Sequence, residues 1–312
     1  MTIPVCCLIG PTASGKSHLA LLLAKTFDVE IVSVDSALVY RHMNIGTAKP
    51  SIAERQIVKH HLIDMIDPIH CYSVAKFCID ATHAINDILS RGKIPLLVGG
   101  SMLYIKALEF GLAKLPSANY LLRTSLNEEA RLFGWPVLHQ KLKKIDPVSA
   151  EKIAPFDAQR IQRALEVYLS SGVPISKLIK KNQHSSQFQL IKLGLIPDER
   201  QWLRVRINKR FSDMLQAGFL DEVKQIRKNY PTLTLALPAT KIVGYHQAWQ
   251  YLDGLINYQD FVEQTMIATH QLAKKQLTWL RKMEYLTELN CQKTDVIFFK
   301  ASQWFSKTIN NT

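Results

Sequence analysis

The run Gly10-Pro11-Thr12-Ala13-Ser14-Gly15-Lys16-Ser17 sets two glycines, a lysine and a hydroxyl at the spacing G-x-x-x-x-G-K-[ST]. Glycines let the backbone curl until several N–H groups face one anion, and a helix starting behind them adds its positive end. Lys16 supplies a point charge for a terminal phosphate, and Ser17 stands where a Mg²⁺ ligand is expected. The chemistry so defined is the binding of a phosphorylated compound. A nucleoside triphosphatase or a small-molecule kinase would share the cradle, but such enzymes usually add a Mg²⁺-positioning Asp at the end of another hydrophobic strand. Asp64 and Asp67 come nearest to that pattern, in a more polar setting.

Two further segments carry chemical groups. In Ile31-Val32-Ser33-Val34-Asp35 an apolar run delivers a carboxylate to its end. Beside a phosphate cradle a carboxylate is costly unless it binds metal or takes a proton, so Asp35 reads either as a general base or as a cap for the next segment. Leu96-Leu97-Val98-Gly99-Gly100-Ser101 repeats the pattern of buried run, glycines and hydroxyl. It offers a second set of N–H groups and a hydroxyl to the same site, or a plain strand-to-helix turn.

These groups need a scaffold that brings strand ends together. The sequence predicts strands at Pro4–Ile9, Val29–Val34, Leu62–Ile66 and Ile94–Val98, with helices starting at Lys16, near Ala53 and over Ala75–Ser90. Such alternation implies right-handed crossovers and a mainly parallel sheet covered on both faces. Residues 118–184 are charged and helical in pattern, broken by Pro136, Pro147, Pro155 and Pro174. A strand then follows at Phe188–Ile196, helices near 198–229, 240–253 and 258–283, and a late strand at Asp295–Phe299. The expectation is an α/β protein: a P-loop NTPase-like parallel sheet flanked by helices, built from 1–117 plus 185–312, with an all-helical insertion over 118–184.

Composition narrows the class. Of 312 residues, 47% are hydrophobic and 21% charged, which excludes bulk disorder. The net charge of +13 points to a polyanionic partner, and it is uneven. Residues 1–156 carry 17 basic and 13 acidic side chains, whereas 157–312 carry 22 and 13. Five cysteines without a C-x-x-C pair suggest no disulfide framework. The spacing of His60, His61, His70, Cys71 and Cys78 fits no familiar zinc pattern. The first ten residues lack a signal peptide's basic region, and no apolar run approaches the roughly 18 residues of a membrane span, so a cytoplasmic protein is expected.

Taken together the segments resemble the bacterial-type tRNA dimethylallyltransferase (tRNA isopentenyltransferase) family. The resemblance is carried by GPTASGKS at 10–17, VDSALVYRHMNIGTAKP at 34–50, HHLIDMIDP at 60–68 and PLLVGGSMLYIKAL at 95–108. It continues in DAQRIQRALEVYLSSG at 157–172, VGYHQAWQYLDG at 243–254 and QLAKKQLTWLR at 271–281. It implies transfer of a dimethylallyl group from dimethylallyl diphosphate to N6 of adenosine 37 in tRNAs reading codons that begin with U. Mg²⁺-diphosphate leaves, so Mg²⁺ is the implied cofactor.

On this resemblance Lys16, Asp35 and Ser101 are catalytic, Asp35 taking the N6 proton, with Ser101 where the family usually has Thr. The cradle residues 10–17 hold the diphosphate with Arg206 and Arg210, which lie four apart on one helical face. The implied partner is the tRNA anticodon stem-loop, and a monomer is the default. It would be gripped by Asp35, Ser36, Ala37, Leu38 and Ser101, and by Arg123, Gln159, Arg160, Ile161, Gln162 and Arg163 of the insertion. Two later segments join them: Lys241, Ile242, Val243, Gly244, Tyr245 and His246, and then Lys274, Lys275, Gln276, Leu277, Thr278, Trp279, Leu280 and Arg281. The sequence departs from the family where Lys241, His246, His270 and Lys275 replace commoner arginines, which loses the bidentate fork and, for the histidines, most of the charge.

Overall fold

The computed structural model describes residues 2–181 and 186–310. By internal contacts the chain divides into two compact units, Met1–Glu109 with Gln187–Thr312, and Phe110–Ser186. The expected insertion start at 118 lies within the second unit; its expected end at 184 lies outside the described residues.

The first unit is built on β1 (Ile3–Ile9), β2 (Val29–Val34), β3 (His60–His61), β4 (Ile94–Gly99), β5 (Phe188–Ile196) and β6 (Leu286–Asn290). All pair in parallel in the order β3-β2-β4-β1-β5-β6. Every residue of β2 is buried, as a sheet covered on both faces requires. The helices of this unit before the insertion are α1 (Lys16–Ala24), α2 (Ile52–Ile57), α3 (Val74–Ser90) and α4 (Met102–Phe110). The second unit holds α5 (Tyr120–Phe133), α6 (Trp135–Ile145), α7 (Pro147–Lys152), α8 (Ala158–Ser171) and α9 (Ile175–Lys181). The first unit then resumes with α10 (Arg200–Gln216), α11 (Phe219–Asn229), a 3-10 turn at Ala239–Lys241, α12 (Tyr245–Leu252), α13 (Tyr258–Leu280) and α14 (Thr294–Asn310).

Alternation along β1 assigns the two sheet faces. Val5, Cys7 and Ile9 pack with α3, α4 and α13 through Phe77, Ile85, Ile105 and Leu277. Cys6 and Leu8 pack the other way, against Leu19 and Leu23 of α1 and Phe305 of α14. The apolar positions of α3 at Phe77, Ala81, Ala84, Ile85 and Ile88 follow the helical repeat and are all buried. A further cluster joins Val39, Tyr40 and Met43 to Phe211, Phe219, Tyr245 and Phe261.

Two expected strands are corrected. Leu62–Ile66 does not extend into the sheet: β3 stops at His61, and Leu62 and Asp64 take positive φ of 64° and 58°. The Asp64 carboxylate is held there by Lys49 and Arg55, 2.6 and 2.7 Å away. Asp295–Phe299 begins α14; its apolar residues continue through Ala301, Trp304 and Phe305 at helical spacing onto the α1 face. The strand beside β5 is Leu286–Asn290, a polar edge strand with little hydrophobic signature.

Candidate active site

The strand order sets the site. β2, β4 and β1 are neighbours, so the residues following their carboxyl ends, Asp35, Gly100 and Gly10, share one edge. That edge is where open parallel sheets bind ligands.

After β1 the chain curls through Ala13 (φ 62°) and Gly15 (φ 95°), with the Ser14 N–H donating to the Pro11 carbonyl. Gly10 admits no side chain, because a Cβ would sit 2.8 Å from Ser14 Oγ and 2.9 Å from the Leu195 carbonyl oxygen. α1 starts without a side-chain cap, which leaves its first N–H groups for an anion. Lys16 is half-buried and its Nζ donates to the Pro11 carbonyl at 2.6 Å. Burial pushes its ammonium down to about 8, with Asp35 pulling upward and Arg210 adding to the depression. Ser17 is exposed, and its hydroxyl makes no hydrogen bond among the described residues.

The two arginines of α10 lie against this loop. Arg206 Nε donates to the Ala13 carbonyl at 2.8 Å, with its guanidinium 4.7 Å from the Trp202 ring centre. Arg210 Nη2 donates to Thr12 Oγ1 at 2.6 Å. Burial lowers Arg210 from its ordinary value, and Asp35 opposes the shift, so Asp35 acts on both Lys16 and Arg210. From α13, Gln276 Oε1 accepts the Thr12 N–H at 2.8 Å, and its Nε2 donates to the Gly100 carbonyl at 3.0 Å.

Asp35 does not cap a helix. The following residues run in turns to Tyr40, and Asp35 Oδ1 accepts the Ala37 N–H at 2.8 Å, which locks the first turn. Two expectations for the second glycine turn are revised. The N–H groups of Gly100 and Ser101 both donate to the Val34 carbonyl at 3.2 Å, so neither faces a ligand. Gly99 is needed because a Cβ there would collide with that same carbonyl. The Ser101 hydroxyl accepts from the Ser36 N–H at 3.1 Å and donates to Ser36 Oγ at 3.4 Å, thus bracing the turn that carries Asp35 rather than touching Asp35 itself.

The loop beyond is anchored by a residue that sequence reading missed. Glu222 of α11 accepts the N–H groups of Asn44, Ile45 and Gly46 at 2.8, 2.8 and 3.2 Å, and the Tyr245 hydroxyl at 2.5 Å. Nothing local in the sequence marks this, because loop and carboxylate are far apart in the chain.

Comparison with known proteins settles the lineage: residues 38–283 match the IPP transferase family. The chain belongs to that family. A tRNA dimethylallyltransferase of Chromobacterium violaceum is 55% identical over 278 residues, covering 89% of this chain and 86% of the relative. One from Neisseria meningitidis is 50% identical over 285 residues, covering 91% and 90%. Among solved structures, the tRNA isopentenylpyrophosphate transferase of Bacillus halodurans is similar with a TM-score of 0.72 at 33% identity, covering 100% of this chain and 98% of that one. A eukaryotic dimethylallyltransferase acting on tRNA gives 0.84 at 28%, covering 99% and 80%. The family match starts beyond the cradle and Asp35, so their reading rests on the geometry above and on the longer alignments.

Against that background the expected RNA-side residues fall into two groups. Lys241, Lys274, Lys275, Thr278, Trp279 and Arg281 are exposed, and Ile242, Val243 and His246 are half-buried. Tyr245, Leu277 and Leu280 are core side chains, Gly244 is buried, and Gln276 turns inward, so these five brace the site rather than reach outward. Between α10 and α13 lies a cavity of about 410 Å³ with an apolar floor that includes Leu203, Ile207 and Leu277, and basic walls at Arg200, Arg204, Lys274 and Arg281. His270 also lines it; burial, with Arg204 beside it, lowers the imidazole from its ordinary value and so disfavours its charged form.

In the helical unit, Gln159 and Arg160 are exposed, Arg160 lying 3.5 Å from Asp157. Ile161 is fully buried, and Gln162 donates to the Arg123 carbonyl and to Asn127. Arg123 and Arg163 both bind Glu166, which is fully buried and also accepts the Asn119 N–H. Burial pushes the Glu166 carboxyl up, but the two guanidinium groups pull it below its ordinary value. Both arginines thus have a structural task that sequence reading did not foresee.

Proposed function

We propose that the chain transfers the dimethylallyl group of dimethylallyl diphosphate to N6 of adenosine 37 in the anticodon loop of tRNAs reading codons that begin with U. The observation that carries this reading is a phosphate cradle with Lys16 at the end of β1 sharing a sheet edge with Asp35 at the end of β2. Leaving group and proton acceptor are thereby brought to one place. N6 attacks the allylic carbon, the carbon–oxygen bond breaks with its electron pair going to diphosphate, and Asp35 takes the N6 proton. Lys16, Arg206, Arg210 and the N–H groups at the start of α1 stabilise the charge gathering on the diphosphate. Asp35 Oδ1 is tied to the Ala37 N–H, and this bond, with Ser101 on Ser36, fixes the carboxylate's orientation.

The residues present fit Mg²⁺ as a guest brought by the diphosphate. The Ser17 hydroxyl is open, and no group of three His, Cys, Asp or Glu stands together among the described residues to form a protein cage. Mg²⁺ commonly binds through one or two protein ligands plus phosphate oxygens, and it supplies charge neutralisation to the departing group. No described helix is long and apolar enough to cross a membrane, and with tRNA as acceptor we place the enzyme in the cytoplasm as a monomer.

The test is incubation of purified protein with labelled dimethylallyl diphosphate, Mg²⁺ and a tRNA bearing adenosine at the position after the anticodon. Label enters the RNA on this reading. No incorporation, with ATP consumed in the absence of RNA instead, would return the cradle to a kinase.

A further inference from the structure

We propose that Gln276 is a positioning residue for the donor cradle rather than a contact to RNA. It lies on α13 among residues whose side chains are exposed, Lys274, Lys275, Thr278 and Trp279, yet its own side chain turns inward. There it makes two hydrogen bonds to main-chain groups of different loops: Oε1 accepts the Thr12 N–H at 2.8 Å, and Nε2 donates to the Gly100 carbonyl at 3.0 Å. Thr12 belongs to the cradle and Gly100 to the turn after β4, so one amide ties the two glycine turns to each other and to α13.

The chemistry singles out glutamine. The bridge needs an acceptor on one side and a donor on the other, and among side chains of this length only a carboxamide offers both without taking up a proton. A Cβ on Gly100 would come within 2.5 Å of Nε2, so the second glycine is required by this contact as well. Because the Thr12 N–H is taken, it is a fixed point of the loop, and with the Ser14 N–H on the Pro11 carbonyl the diphosphate is left the N–H groups from Gly15 onward. Arg210 on Thr12 Oγ1 and Arg206 on the Ala13 carbonyl hold the same stretch from the other side. Without Gln276, Thr12 and Gly100 keep unpaired groups in a half-buried place, and the cradle loses its registration against the turn that braces Asp35.

This inference rests on the proposed transfer of a prenyl group from a diphosphate, and its test separates the two. Gln276→Met keeps the length and removes both bonds; Gln276→Glu keeps the acceptor and sets a carboxylate against the Gly100 carbonyl. Both variants are expected to raise the KM for dimethylallyl diphosphate by about 5- to 10-fold, the scale of one or two lost hydrogen bonds, with the KM for tRNA within about twofold of the parent. A raised KM for tRNA with an unchanged donor KM would overturn the proposal and make Gln276 an RNA contact. A second readout needs no catalysis: saturating inorganic diphosphate should raise the Tm of the parent more than that of either variant. Equal rises would overturn the proposal. A parent protein that transfers no prenyl group while diphosphate still raises its Tm would fault the transferase reading alone, and the Tm comparison would still decide the role of Gln276.

Discussion

On the proposed transfer, Lys16 and Asp35 divide the reaction between them, one placed for the leaving group and the other for the proton. Burial holds free Lys16 near 8, whereas a bound diphosphate favours its charged form. Donor affinity is therefore full below pH 8 and falls by up to about tenfold per pH unit above it, as the free lysine loses its proton. Calorimetry in two buffers of different ionisation heat should register uptake of nearly one proton on donor binding at pH 9 and almost none at pH 6.5. No uptake at pH 9 would mean that Lys16 keeps its proton in the free enzyme. For Asp35, the Asn variant can still accept the Ala37 N–H through its amide oxygen, so the turn persists while the base is lost. Single-turnover transfer by Asp35→Asn should fall by about 10²-fold or more with donor binding retained. Loss of donor binding would instead make the carboxylate a structural brace. Both residues were legible in the sequence because their settings are local: a fixed glycine spacing in one case, the end of a buried strand in the other. The place of Ser101 at this sheet edge was legible too, but its bond to Ser36, far away in the chain, was not.

At the scale of elements, several arginines and carboxylates of this chain hold loops and helices in place. Arg123 and Arg163 neutralise Glu166 from α5 and α8, so Arg123→Ala removes two of the four hydrogen bonds to a buried carboxylate. The expected result is a lower Tm for the protein with an unchanged salt dependence of tRNA affinity. Arg160→Ala, on the exposed side of α8, should do the opposite, leaving the Tm alone and reducing the salt slope by about 0.7. Calorimetric melting and binding at several salt concentrations read the two effects separately; a salt slope lowered by Arg123→Ala would return that residue to the RNA surface. Arg160 and Arg163 lie three apart on α8, a spacing that sets them on one face. The spacing does not reveal that a buried glutamate three residues on claims one of them. Glu222 was missed, and Gln276 was expected on the RNA side, for a related reason: their main-chain partners stand 176 or more residues away, and hydrogen bonds to main-chain groups leave no trace in side-chain patterns. The edge strand Leu286–Asn290 was missed because it is polar, and the helix over Asp295–Phe299 was misread because a short apolar run does not distinguish strand from helix.

Across the whole molecule, net charge is a poor guide to where RNA would lie until the internal pairs are set aside. Lys49 and Arg55 serve Asp64, Lys192 serves Glu109, and Arg91 serves Glu30, each inside the sheet unit. By contrast Arg200 and Arg204 on α10, and Lys274, Lys275 and Arg281 at the end of α13, are exposed and in no ion pair among the described residues. All of these but Lys275 line the cavity between those two helices, whose floor is apolar and whose lining contains no carboxylate. Part of the +9 surplus of the second half thus has a concrete location, and α10 shows two chemical faces. Arg206 and Arg210 bind the loop after β1 at Ala13 and Thr12, while Arg200 and Arg204 face outward. If the outward pair meets phosphates of the RNA backbone, Arg200→Ala with Arg204→Ala should lower the salt slope of tRNA affinity by up to about 1.4, twice the single-strand value. The donor KM should stay unchanged, because neither residue touches the cradle. A slope equal to that of the parent would confine the RNA surface of this unit to α13 and the segment around Lys241, and would leave the outward face of α10 as a solvated one.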